Sequence, residues 1–178
     1  MDTKEKGYSK ISALLAVVFW VITIASVIVI FHYSQQSGDD SSETSLRIMQ
    51  FLNKYFGGIL TENVIRKGAH VAEFLFLSLF TYLAIYNTNK ISVKTSYSES
   101  SVKFMKSDNE MCIIFTIWFC ILNAVVDEYH QLFVSGRSGA ILDVAIDMIG
   151  VIFLMLIFRL AFTVSLKIRG KTEVRYNE

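Results

Sequence analysis

Proline is missing from all 178 residues, so no turn in this chain has its backbone fixed by a pyrrolidine ring. Cysteine occurs only at Cys112 and Cys120, both in one apolar segment. Eight residues of helix would place their α-carbons about 12 Å apart. A disulfide spans roughly 4.4 to 6.8 Å between α-carbons, so that pairing is implausible. A surplus of charge is missing too: the formal net charge is +1, and no face carries the dense basic footprint that nucleic acid requires. No internal repeat suggests the inverted halves of a transporter.

Apolar side chains are what the chain has in abundance. They make up 53% of it and the mean hydropathy is positive, which is unusual for a soluble domain of this length and points to an integral membrane protein. Residues 11–31 carry no charge and follow Lys4, Lys6 and Lys10, the order found in a signal peptide. That run is 21 residues long and leads into His32-Tyr33-Ser34-Gln35 without a small-residue cleavage site, so a retained signal anchor is expected.

Three more runs, 64–86, 111–131 and 139–166, approach or exceed the roughly 20 residues needed to cross a bilayer. Hydrocarbon leaves no partner for an open backbone, so helices and not strands fit them. The fourth run is long and contains Arg159, whose stem lets the charge snorkel to the interface. The expected fold is all-α: a polytopic membrane bundle of about four transmembrane helices. Its connections are 32–63, a Ser/Lys/Asn-rich loop at 87–110 and a tight polar turn at 132–138. Within the first loop Ile48, Met49, Leu52, Tyr55 and Phe56 recur at helical spacing and stop at Gly57-Gly58, predicting a short interfacial helix. The organisation is then 1–10 as an N-terminal segment, 11–166 as the transmembrane domain and 167–178 as a polar tail.

Twelve of the 17 lysines and arginines lie in the N-terminal segment, the second loop and the C-terminal side; the first and third loops hold Arg47, Lys54, Arg66, Lys67 and Arg137. This asymmetry predicts that both termini are cytoplasmic. Connectivity places the end of span one, the start of span two, the end of span three and the start of span four on one side, whichever way the chain is inserted. Every unusual polar residue is there: Ser34 and Gln35, then Lys67, His70 and Glu73, then Asp127, Glu128 and Gln131, then Arg137, Asp143 and Asp147. With cytoplasmic termini, that side is extracytoplasmic.

Charge at the centre of a membrane helix costs roughly 2.5 to 3.5 kcal/mol per Asp, Lys or Arg, so such residues face a bundle interior or a cavity. His70 and Glu73 are an i, i+3 pair, Asp127 and Gln131 an i, i+4 pair, and Asp143, Asp147 and Gly150 follow at i, i+4, i+7, each set on one helical face. The carboxylates of Glu73, Asp127, Glu128, Asp143 and Asp147 cannot all stay ionised and unpaired in one half-buried place. Some must pair, hold protons or bind a cation. His70, Glu73, Asp127 and Glu128 are the candidates for acid/base work; Ser34, Gln35, Lys67, Gln131, Arg137, Asp143 and Asp147 are the candidates for ligand binding. A divalent cation is the cofactor such acids could hold. The competing reading is a buried ion-pair network that only fixes helix packing. His130 is offset from the Asp127 face and reads as an interface residue, Ser34 and Gln35 read equally well as interface residues, and Trp20 and Trp118 read as packing.

Several segments together resemble the VanZ-like membrane proteins: Arg66-Lys67-Gly68-Ala69-His70-Val71-Ala72-Glu73-Phe74, then Asp127-Glu128-Tyr129-His130-Gln131-Leu132-Phe133, then Gly136-Arg137 with five residues before Asp143, then Gly150. Ser34-Gln35 after span one is similar to that family's first-loop pattern. The resemblance runs over about residues 11–160. Two positions depart from it: Asp147 stands where the family usually has Asn, and Ser135 where it often has Pro before Gly-Arg, which leaves the turn less rigid. The resemblance implies a multi-pass protein of the bacterial cytoplasmic membrane, mostly from Gram-positive organisms, whose founding member contributes to resistance to the lipid-bearing glycopeptide teicoplanin.

Three functions remain open on this basis. The first is an envelope protein whose outward polar site binds an anionic or lipid-linked ligand, such as a cell-wall precursor, and alters glycopeptide access, with Arg137 on phosphate or carboxylate. The second is an intramembrane enzyme acting on a lipid headgroup or precursor, with His70 or Glu73 as acid/base and the acids around a divalent cation. The third is a small proton-coupled transporter or lipid translocase, which would need an oligomer because four helices enclose little volume. Membrane lipids are the expected surroundings in every case.

Overall fold

A computed structural model describes residues 10–91 and 101–176, without the side chains of 101–107 and 169–176. Five helices follow one another: α1 (Lys10–Ser34), α2 (Gly38–Phe56), α3 (Glu62–Ile91), α4 (Ser101–Gln131) and α5 (Ile141–Tyr176). Stretches long and apolar enough to cross a membrane occupy Lys10–Ser34, Glu62–Ile91, Asp108–Gln131 and Ile141–Ile168. The architecture is the expected one, an all-α multi-pass membrane protein with four spans and an additional helix in the first loop.

The helices outrun the apolar stretches that announced them. The loop expected over 87–110 is largely helix, because α3 continues to Ile91 and α4 starts at Ser101; its middle, 92–100, lies outside the described residues, as do Lys4 and Lys6. Likewise α5 carries on through the expected polar tail as far as Tyr176. Hydropathy reports where the hydrocarbon ends, whereas the i to i−4 ladder continues into water until a breaker stops it.

Inside the spans, several hydroxyl side chains return their hydrogen bonds to their own helix. Thr23 donates to the Phe19 carbonyl at 2.8 Å, Ser26 to Ile22 at 2.9 Å and Thr116 to Cys112 at 2.8 Å. Helix α3 is central and touches each of the other four. Its buried positions Phe74, Leu77, Ser78, Thr81, Tyr82 and Ala84 recur at helical spacing, and the small ones among them let neighbouring backbones approach. They meet Cys112, Cys120 and Ala124 of α4, Met148, Val151 and Met155 of α5, and Ile30 of α1. The opposite faces present Val17, Val21, Ile24 and Ile28 of α1, Phe115, Trp118 and Leu122 of α4, and Phe153 and Leu156 of α5, an apolar surface suited to lipid.

The interfacial helix begins ten residues earlier than its apolar pattern indicates. Ser37 caps it, its Oγ accepting the Asp40 amide at 3.2 Å, and Asp39 and Asp40 place negative charge at the positive end of the helix dipole. At the same end of the bundle the Gly38 amide donates to the Ser135 carbonyl at 3.0 Å. A Cβ at Gly38 would come within 2.2 Å of the Gly136 carbonyl oxygen, and Gly136 itself has φ +74°, so two glycines are what lets the start of α2 lie on the α4–α5 turn.

Candidate functional site

Three helices each deliver one residue to the same point. His70 comes from α3, Asp127 from the last turns of α4 and Asp147 from the second turn of α5, and one ligand-type atom from each lies within 4.8 Å of the other two. The His70 Nδ1 is 3.8 Å from Asp147 Oδ1 and 3.9 Å from Glu73 Oε2. Asp127 and Asp147 are 0% and 1% exposed, although both are acids. Helical spacing put each on a particular face of its own helix; the bundle turns those faces toward one another.

The three are under-satisfied. His70 Nδ1, Asp127 Oδ1 and Asp147 Oδ2 have almost no contact with solvent and find no hydrogen-bond partner among the described residues. Leaving a buried polar atom unpaired costs about 1 to 3 kcal/mol, and more when it is charged. One oxygen of Asp127 is held: Gln131, one turn further along α4, donates its Nε2 to Oδ2 at 2.9 Å. That bond holds the side chain and leaves Oδ1 without a partner among the described residues. Carboxylates placed this close compete for a shared cation, whether a proton or a metal ion.

The other candidates are placed around this centre and not within it. Glu128 is 6% exposed and accepts the Ala140 amide at 2.9 Å, so its carboxylate caps the start of α5. Replacing Glu128 with Ala is expected to lower the unfolding free energy by about 1 kcal/mol, whereas Gln, which keeps an acceptor, stays close to wild type. Thermal unfolding of the two variants in detergent checks this. Lys67 Nζ lies 3.7 Å from Asp143 Oδ1, a half-exposed ion pair at the rim. Arg137 donates from Nη2 to the Tyr33 carbonyl at 3.2 Å, placing its charge at the negative end of the α1 dipole and tying the α4–α5 turn to α1. Burial pulls the Arg137 guanidinium below its ordinary value, while Asp127 acts in the opposite sense. Arginine nevertheless stays charged.

Ser34 is buried, with its Oγ 3.5 Å from His130 Nδ1, and belongs to the α1–α4 contact together with the Phe31–His130 ring pair. Gln35 is exposed beside Val27, Ile28, Phe31 and His32, in a shallow groove on the outside of α1. Neither residue joins the triad.

A second polar contact was not visible beforehand. At the opposite end of the bundle the buried Tyr82 hydroxyl donates to Asn109 Oδ1, and Asn89 donates to Cys112 Sγ at 3.2 Å. Tyr82 is twelve residues beyond His70 on α3, about 18 Å along the helix. Its spacing with Phe74 and Ser78 was the available signal, but Asn109 lay in a stretch read as loop.

A protein-family model described as VanZ/LLP1 matches residues 13–162, which include every residue of the cluster. No curated protein and no solved structure shows significant similarity to the chain.

Proposed function

The chain belongs to the VanZ/LLP1 family, a membrane-protein family linked to glycopeptide resistance, and from that premise we propose that its polar end binds an anionic, lipid-linked ligand and thereby limits access of teicoplanin-type glycopeptides. The observation that carries this reading is the buried, under-satisfied triad of His70, Asp127 and Asp147 lying beneath a basic rim. Arg66 and Lys67 lie near the start of α3 and Arg137 sits in the α4–α5 turn, at the same end of the bundle as His70. With both termini cytoplasmic, as the lysine and arginine distribution indicates, this end faces outward, where cell-wall precursors and the drug meet.

The rim suits an anion. Arg137 is anchored through one arm on the Tyr33 carbonyl, and its planar fork favours phosphate or carboxylate. Helix α2 lies at the same end with Ile48, Phe51, Tyr55 and Phe56 exposed, an apolar face fit to rest at headgroup depth, where a lipid-linked ligand presents its charge.

Lys67→Ala and Arg137→Lys test the reading. The first removes a half-exposed pair worth at most about 1 kcal/mol to the fold, and the second keeps charge but loses the fork. Each is expected to weaken teicoplanin protection by about tenfold, the effect of losing roughly 1.4 kcal/mol of ligand binding, at wild-type membrane levels. Susceptibility to vancomycin should move less. Full protection by both variants would overturn the anionic-ligand reading.

A further inference from the structure

We infer that His70, Asp127 and Asp147 form a binding site for one divalent first-row transition-metal ion of the manganese or zinc class. The inference concerns the heart of the cluster and does not depend on what the basic rim binds. Its first support is convergence. The three residues come from three helices, and one donor atom of each lies within 4.8 Å of the others. Donors bound to a common ion at about 2.0 to 2.2 Å sit at most roughly 4.4 Å apart, so small side-chain rotations close the site. The 3.8 Å from His70 Nδ1 to Asp147 Oδ1 already fits.

The second support is independent of that geometry. Asp127 and Asp147 are fully buried, and Asp127 Oδ1, Asp147 Oδ2 and His70 Nδ1 each find no hydrogen-bond partner among the described residues. A network built only to hold helices together would use these atoms on one another or on backbone groups. Here the separations exceed hydrogen-bond length, as though a ligand were to fill the middle. A divalent ion neutralises the two carboxylates at a depth where unpaired charge is costly.

Chemistry narrows the ion. One imidazole nitrogen with two carboxylate oxygens suits manganese, iron or zinc; calcium takes 6 to 8 oxygen ligands, and magnesium is more reluctant to shed its waters. Gln131 is the outer partner that orients Asp127, as metal-bound carboxylates require, and Glu73 stands 3.9 Å from His70 as a fourth candidate donor. Three protein ligands leave coordination positions for water or for an oxygen of an anion.

The test uses the full-length protein purified in detergent, stripped with a chelator, incubated with manganese, zinc or magnesium, and freed of excess ion. Wild type is expected to retain about one manganese or zinc per chain with a raised unfolding temperature, and no stoichiometric magnesium. Cobalt loading should give visible d–d absorption that Asp127→Asn and Asp147→Asn abolish. Gln131→Ala, which leaves the ligands in place, should weaken affinity by about ten- to a hundredfold. Substoichiometric metal in folded wild type overturns the proposal whatever the variants do, and so does unchanged binding by Asp147→Asn. Binding of metal-stripped wild type to vesicles containing a lipid-linked phosphate is read separately. Vesicle binding without any metal site would leave the anionic-ligand reading standing and this one fallen, and a metal site without vesicle binding would do the reverse.

Discussion

Asp127→Asn is expected to abolish teicoplanin protection while the protein stays in the membrane at wild-type level and, in metal-free buffer, unfolds no more easily than wild type. The substitution is isosteric, and the new amide oxygen can still accept from Gln131, so the α4 geometry around it is kept. What changes is the charge and the acceptor at the Oδ1 position, which is buried and has no hydrogen-bond partner among the described residues. If the acids existed only to pair helices, removing one would strand a buried charge on its partner and cost about 3 to 5 kcal/mol. If they form a functional site, the ligand-free protein holds acids that repel one another while buried from solvent, and neutralising one relieves that stress. Susceptibility testing with immunoblotting of membranes, together with thermal unfolding in a chelator, separates the two. A marked drop in stability with protection lost in proportion would identify the cluster as a structural network. Asp147→Asn, which installs the residue usual in the family, should behave the same way in unfolding.

Gly150→Leu is expected to part α3 from α5 and to dismantle the cluster without touching any of its polar side chains. A Cβ at Gly150 would sit 2.5 Å from the Val71 carbonyl oxygen and 3.1 Å from Leu75 Cβ, so even alanine forces backbone to move. Overpacking of this kind costs about 1 to 3 kcal/mol, and leucine belongs at the upper end or beyond. The same contact governs the site, because Val71 follows His70 directly and Gly150 lies one helical turn after Asp147. Pushing the helices apart lengthens the 3.8 Å between His70 and Asp147. The expected readout is a graded series, Gly, Ala, Leu, in which unfolding temperature and protection fall together. An alanine variant with wild-type stability would mean that the two helices are not held at this crossing.

Much of this protein could be read without coordinates, and the reasons are specific. Predominantly apolar runs of about 20 residues have one outcome in a bilayer, so the four spans and their all-α character follow from hydropathy alone. Connectivity then puts Ser34, His70, Asp127 and Asp147 at the same end of the bundle regardless of orientation. The i, i+4 spacing of Asp127 and Gln131 sufficed to place them on one face, and their side chains are indeed bonded at 2.9 Å. Periodicity assigns a residue to a face of its own helix, however, and says nothing about the rotation of that helix in the bundle. Rotation is settled by contacts far apart in sequence, such as Gly150 against Val71 and the buried seam of Phe74, Cys120 and Val151. It therefore took the tertiary structure to turn His70, Asp127 and Asp147 inward together, to send the adjacent Glu128 to the Ala140 amide, to leave Lys67 and Asp143 at the rim, and to fold Arg137 back onto the end of α1.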